Sequence, residues 1–254
     1  MTARVLVTRP AGSWPRLTAR FSGTPIVLQL TPTTAQVAPL NPRPGDEALG
    51  RLREYDWLVL TSGQGVSALL RGLASHGVTG LPPGLRVAAV GPATARVLSD
   101  ASVGVELVAA DGNSDGLAAS LGPHLTGGAR VLVVRPEGAP GSLGAALRAG
   151  GGVVDEAPLY RMIASEHAGE LAAAAIGGAF AAVVFTAPSS LDLWLDAAGA
   201  RRGALVGALT RAARVAIGPT TSARLASLGL PADATALVPS EDAVGDAIEH
   251  VVRL

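Results

Sequence analysis

The sequence predicts an α/β chain of two similar domains, each a parallel sheet flanked by helices. Three observations carry this: short, continuous, β-branched apolar runs, alanine-rich stretches of helical composition after nearly all of them, and a strand-turn-helix pattern that recurs about half the chain apart. Strands covered on both faces read as unbroken apolar runs, and helices on both sides of a parallel sheet cover them in that way.

Taken in order, strands are expected at residues 5–7, 57–60, 87–90, 131–134, 183–185 and 215–217, and helices over 64–75, 93–100, 142–149, 189–198 and 221–228. "VLVTRPAGS" from Val5 returns as "VLVVRPEGA" from Val131, a spacing of 131 − 5 = 126. "WLVLTSGQGVSALL" from Trp57 returns as "AVVFTAPSSLDLWL" from Ala182, at 182 − 57 = 125. Gly91-Pro92 and Gly218-Pro219 lie 218 − 91 = 127 apart. Recurrence in one order at one spacing is the signature of a tandem duplication. Two extended, proline-containing segments, about 30–40 and 153–165, fall at matching points of the repeats and are expected to connect the domains.

Composition bounds the function. The chain has 254 residues, 48% hydrophobic and 16% charged, which suits a soluble globular protein of two domains. Its 20 basic residues, all arginine, balance 20 acids, so no net basic footprint points to nucleic acid. Cysteine is absent, which removes thiolate metal sites and cysteine nucleophiles. No run reaches the ~18 apolar residues of a membrane span, and the expected location is the cytoplasm.

In a parallel α/β sheet, ligands bind at the carboxyl ends of the strands. The punctuated turns fall there: Thr8-Arg9-Pro10, Thr61-Ser62-Gly63, Gly91-Pro92-Ala93-Thr94, Arg135-Pro136-Glu137-Gly138, Thr186-Ala187-Pro188-Ser189-Ser190 and Gly218-Pro219-Thr220-Thr221. Serine and threonine at these positions are expected to cap the following helices, and the free N–H groups of a helix start receive anions without any lysine. A single such turn is ordinarily just a cap. Six facing one cleft favour a large ligand with several anionic groups. The four histidines (His76, His124, His167, His250) are scattered and expected at the surface, and no metal site is expected. Glu241, Asp242 and Asp246 are expected at the solvated start of the last helix. Tyr160, in the second connecting segment, either packs or turns its phenol to the cleft.

"VLVTRP", "WLVLTSGQGVSALL", "VAAVGPATARVL", "VVFTAPSSLDLW" and "VAIGPTTSARLASLGL", in this order, resemble the uroporphyrinogen-III synthase family over nearly the whole chain. The resemblance implies two flavodoxin-like domains joined by a two-stranded linker with a cleft between them. It places one domain at 1–34 plus 161–254 and the other at 38–158, offset from the sequence repeat. It further implies a cofactor-free lyase that closes hydroxymethylbilane, an octacarboxylate, to uroporphyrinogen III with loss of water and inversion of the last ring. Tyr160 is then the catalytic acid. Arg9, Thr61, Ser62, Gly63, Thr94, Arg135, Thr186, Ser189, Ser190, Thr220 and Thr221 are the substrate-binding residues. The implied protein is a monomer supplied by hydroxymethylbilane synthase, with no nucleic-acid or membrane partner. Gln64 and Ala187 depart from the family's usual asparagine and serine. The alternatives are a non-catalytic two-lobed binder of a polyanionic small molecule and a catalytically faded homologue.

Overall fold

Strand and helix alternate through residues 2–139 and 141–252, which the computed structural model describes. The first half runs β1 (Ala3–Val7), α1 (Pro15–Arg20), β2 (Ile26–Leu30), β3 (Thr34–Val37), α2 (Arg43–Gly50), β4 (Trp57–Leu60), α3 (Gly63–Ser75), β5 (Arg86–Ala89), α4 (Pro92–Asp100), β6 (Leu107–Val108) and α5 (Ser114–Leu121). The second runs β7 (Arg130–Pro136), α6 (Ser142–Ala149), β8 (Val153–Ala164), α7 (Ala168–Ile176), β9 (Ala182–Phe185), α8 (Pro188–Ala197), α9 (Arg202–Arg211), β10 (Ala213–Ala216), α10 (Pro219–Ser227), β11 (Ala234–Thr235) and α11 (Glu241–Val251). The chain divides into two compact units, Met1–Ala35 with Ile163–Leu254, and Gln36–Met162. It passes from one to the other within β3 and again within β8.

Unit 1 holds a five-stranded sheet in the order β11-β10-β9-β1-β2, with every pairing parallel. Alternate side chains of its central strands enter opposite cores, as the period of two requires. Leu6, Val183, Phe185 and Ala216 pack with Leu171 of α7, Leu191 and Trp194 of α8, Leu205 of α9 and Leu225 of α10. Val5, Val7, Val184 and Val215 pack with Leu17 of α1 and Val244 and Ile248 of α11.

Unit 2 repeats this plan in the order β3-β8-β7-β4-β5-β6. Leu58, Leu60, Leu132 and Val134 meet Leu49 of α2, Leu69 of α3 and Leu98 of α4. Trp57, Val59, Val131 and Val133 meet Leu117 and Leu121 of α5 and Leu147 of α6. Fully burying side chains of this kind contributes about 1.5–3 kcal/mol each, which is why the apolar runs must be continuous.

The two sheets are related by exchange. β1 and β2 of the first repeat complete a sheet with β9, β10 and β11 of the second, while β7 and β8 of the second repeat complete one with β4, β5 and β6 of the first. The strands beside and within the expected connecting segments also belong to these sheets. β2 pairs with β1 over its whole length, and β8 pairs with β7 from Val153 onward, because Ile26, Val154 and Ala157 bury their side chains in the cores.

Candidate functional site

The carboxyl ends of the strands in unit 2 gather the turn after β4 and the middle of β8. Ser62 has extended backbone (φ −163, ψ 157) and caps α3, its Oγ accepting the Gly65 N–H at 3.0 Å. Thr61 and Gly63 flank it, half-buried. Tyr160 reaches the same hydroxyl, with Oη 3.0 Å from Ser62 Oγ. β8 holds the ring there, since Tyr160 pairs with Pro136 and its carbonyl accepts the Glu137 N–H. The side chain is 2% exposed, and burial pushes its phenol above the ordinary value despite the opposing bond to Ser62. Tyr160 is thus a protonated phenol that can donate a hydrogen bond at neutral pH. Its ring is buried in unit 2, as the packing reading of Tyr160 expects, and its hydroxyl meets that of Ser62.

The expected caps at Thr94, Thr220 and Thr221 are corrected. Gly91 and Gly218 are the N-caps of α4 and α10, in matching extended conformations (φ 178, ψ 175 and φ 179, ψ 178), with no side-chain cap. Proline at the first helical position fixes the cap one residue upstream, so the threonines stand inside the first turn. Intrahelical bonding begins with the Ala95 N–H to Gly91 O and the Ser222 N–H to Gly218 O, which leaves the amides of Ala93, Thr94, Thr220 and Thr221 ahead of it. Thr94 and Thr221 are buried and Thr220 is exposed. Gly218 could carry a side chain without any contact, whereas a Cβ on Gly91 would meet Gly112 Cα at 3.2 Å.

In unit 1, several expected ligands are engaged locally. Thr8 and Thr186 clamp β1 to β9: Thr8 Oγ1 donates to Val184 O (3.0 Å) and accepts the Thr186 N–H (3.1 Å), while Thr186 Oγ1 donates to Thr8 O (3.0 Å). Ser190, 2% exposed, donates to Ala187 O at 2.6 Å, while Ser189 is half-buried at the start of α8. Ala187 caps α8 with the backbone of Ser62 but without its hydroxyl (φ −164, ψ 156).

The two arginines of the repeated motif part company. In unit 2, Arg135 forms an ion pair with Glu156 (Nε to Oε2, 2.7 Å), its buried Nε lying outside hydrogen-bonding geometry like that of Arg9, and donates to Ala139 O. Arg9 stacks its guanidinium over Trp14, 4.7 Å from the ring centroid, and its Nε is buried with no hydrogen-bond partner among the described residues. Sequence reading overlooked Trp14, Glu156 and Thr8 as partners, and the repeat itself was the signal that could have shown the difference between Arg9 and Arg135.

The acids of α11 are not simply solvated. Glu241 Oε2 accepts the Leu17 N–H (2.7 Å), Asp242 meets Arg16, and Arg20 bridges Asp246 and Glu249 at 2.8 Å each, tying α1 to α11. All four histidines are exposed, and the described residues contain no cluster able to hold a metal ion. An apolar cavity of about 890 Å³ lies at the opposite, amino-terminal edge of unit 2, between Leu70, Leu73, Val78, Leu81, Leu85 and Val103, and offers no titratable group.

The profile of the family described as uroporphyrinogen-III synthase HemD matches residues 16–245. A protein of Methanothermobacter thermautotrophicus, provisionally assigned as a uroporphyrinogen-III synthase, is 31% identical over 205 residues, covering 80% of this chain and 79% of that one. The uroporphyrinogen-III synthase of Synechococcus elongatus is 28% identical over 157 residues, 61% of this chain and 59% of its own. In fold, the chain is similar to a mutant uroporphyrinogen III synthase of Thermus thermophilus, with a TM-score of 0.70 at 23% identity and 98% of both chains covered. It is also similar to the Helicobacter pylori enzyme, with a TM-score of 0.59 at 18% identity and 99% and 100% covered. These matches do not favour the non-catalytic binder. A profile that spans both units, together with a relative matched over four-fifths of the chain, settles the kinship: this chain belongs to the uroporphyrinogen-III synthase family.

Proposed function

We propose that the chain converts hydroxymethylbilane into uroporphyrinogen III and water, with Tyr160 as proton donor and the carboxyl-edge turns as receptors for the substrate's carboxylates. The observation that carries the reading is the Tyr160–Ser62 hydroxyl pair at the start of α3, 3.0 Å apart, in a chain whose family is established. The hydroxymethyl C–O bond breaks as the pyrrole pushes electrons outward, and the departing oxygen takes a proton from Tyr160 and leaves as water. The resulting azafulvene is attacked by the substituted carbon of the terminal pyrrole to give a spiro intermediate. Fragmentation and reclosure reverse that ring, and the proton released as it regains aromaticity restores the phenol.

Unassisted, the bilane closes without inversion, so holding the reacting carbons in a chosen contact is the main task, and such positioning contributes several kcal/mol. Side chains free for carboxylates are Arg9, Ser189, Thr94, Thr220 and Thr221, together with the helix-start amides, whose dipole favours anions. Thr186, Ser190 and Arg135 hold the strands and turns that present them. The same reading makes the chain a cytoplasmic monomer that takes its substrate from hydroxymethylbilane synthase. No helix among the described residues is long and apolar enough to cross a membrane. The test is to supply freshly made hydroxymethylbilane and resolve the type I and type III products. Type III in excess over the uncatalysed control supports the proposal, and type I alone refutes it.

A further inference from the structure

The duplication supplies an internal control for the arginine of the repeated "TRP/VRP" motif. Glu156 stands opposite Val133 on the neighbouring strand, two residues before Arg135, and neutralises that arginine. In unit 1, the residue opposite Val7, two before Arg9, is Leu30. One guanidinium is thus matched by a carboxylate from the adjacent strand, and its counterpart is not. After Val7 the chain leaves the sheet, the Arg9 N–H turning back onto Val7 O at 2.7 Å, and the side chain lies on Trp14, itself 7% exposed.

The acid that acts on Arg9 is Glu241, whose Oε2 already accepts the Leu17 N–H. Desolvation lowers the Arg9 pKa more than Glu241 raises it, so the cation is held at a cost that an arriving anion would relieve. Stacking on an indole fixes the guanidinium plane while leaving its edge free for a bidentate carboxylate.

We infer that Arg9, held by Trp14 and left without a partner carboxylate by Leu30, is the cationic anchor that seats one carboxylate side chain of the substrate at the edge of unit 1, whereas Arg135 is structural. This rests on the reaction proposed above for the identity of the substrate. It does not rest on that reaction for the recognition of a carboxylate.

The test installs in unit 1 what unit 2 already has. Leu30 lies on the edge strand β2 and is half-buried, so Leu30→Glu places a carboxylate beside an intact Arg9, and Leu30→Gln controls for shape. Leu30→Glu and Arg9→Gln should each raise KM for hydroxymethylbilane roughly ten- to hundredfold, the range for a lost charged hydrogen bond, with kcat within threefold. Leu30→Gln should stay within twofold of the parent in both. Binding of uroporphyrin III, an octacarboxylate that does not turn over, is titrated on the same proteins and should weaken in parallel. An unchanged KM in Arg9→Gln, or equal effects of Leu30→Glu and Leu30→Gln, overturns the anchor. If the parent forms no type III product, the reaction proposal fails while the uroporphyrin titration still decides the anchor.

Discussion

Tyr160→Phe separates the chemical from the structural role of the phenol. The substitution keeps a ring that is 2% exposed and removes one hydroxyl, so packing is preserved. Ser62 Oγ keeps the Gly65 N–H as a donor at 3.0 Å, so no buried group is orphaned and the expected loss is that of one neutral hydrogen bond, about 1 kcal/mol. In a chain of 254 residues this corresponds to a fall in Tm of roughly 2–4 °C. Loss of a general acid is larger, ~10²–10⁴-fold in rate. Initial rates of type III formation, with product isomers separated and rates normalised to folded protein by circular dichroism, distinguish the two. A mutant that folds as expected and turns over within threefold of the parent refutes proton donation by Tyr160 and leaves it a packing residue.

Ala187→Ser restores the hydroxyl that Ser62 uses in the other repeat, on a backbone that matches within about a degree, and should raise thermal stability by ~0.5–1 kcal/mol. Thr221→Val keeps the shape of a side chain that is 3% exposed and caps nothing; stability measured by urea titration should change little, while type III formation falls about tenfold if the hydroxyl meets a carboxylate. The chain has two tyrosines, and both phenols are shifted up: Tyr55 to about 12 by burial and then by its bond to Asp155, and Tyr160 by burial. The stability they confer is complete below pH 10, the unfolded value, and is lost as pH rises towards the folded values, so ultraviolet titration should find less tyrosinate near pH 10 in the native protein than in denaturant, where both phenols ionise. Asp233→Ala removes the carboxylate of the 7% exposed Arg214, and since Arg214 keeps carbonyl acceptors from Pro231, Leu209 and Ala212 the cost should be about 2 kcal/mol by urea midpoint.

The α/β class was legible because the central strands are buried on both faces, so Trp57–Leu60 and Ala182–Phe185 are continuous apolar runs that periodicity alone identifies. Strands of two residues, Leu107–Val108 and Ala234–Thr235, are too short to show a period. Helix α7, "AGELAAAAI", is alanine on almost every side and shows little amphipathic contrast. At the candidate site, Ser62 could be read as a cap from its place before Gly63, but Thr94 and Thr221 misled: in "GPAT" and "GPTT" the proline, not the hydroxyl, marks the first turn. Side-chain partners across the sheet, such as Glu156 for Arg135, require the strand register, which no local stretch of sequence contains.

The exchange of strands between repeats also sets the order in which a growing chain can fold. All of unit 2 lies within one continuous stretch, Gln36–Met162, whereas β1 waits for β9, Val5 pairing with Ala182 across 182 − 5 = 177 positions. At ~5–20 residues synthesised per second, that interval lasts roughly 9–35 s. The usual amino-terminal-first sequence is inverted: the middle of the polypeptide can close while Val5-Leu6-Val7 stays an apolar strand without its β9 neighbour, open to chaperones and to mispairing. A strand made before any of unit 2 is thus enclosed only after all of unit 2 has been made.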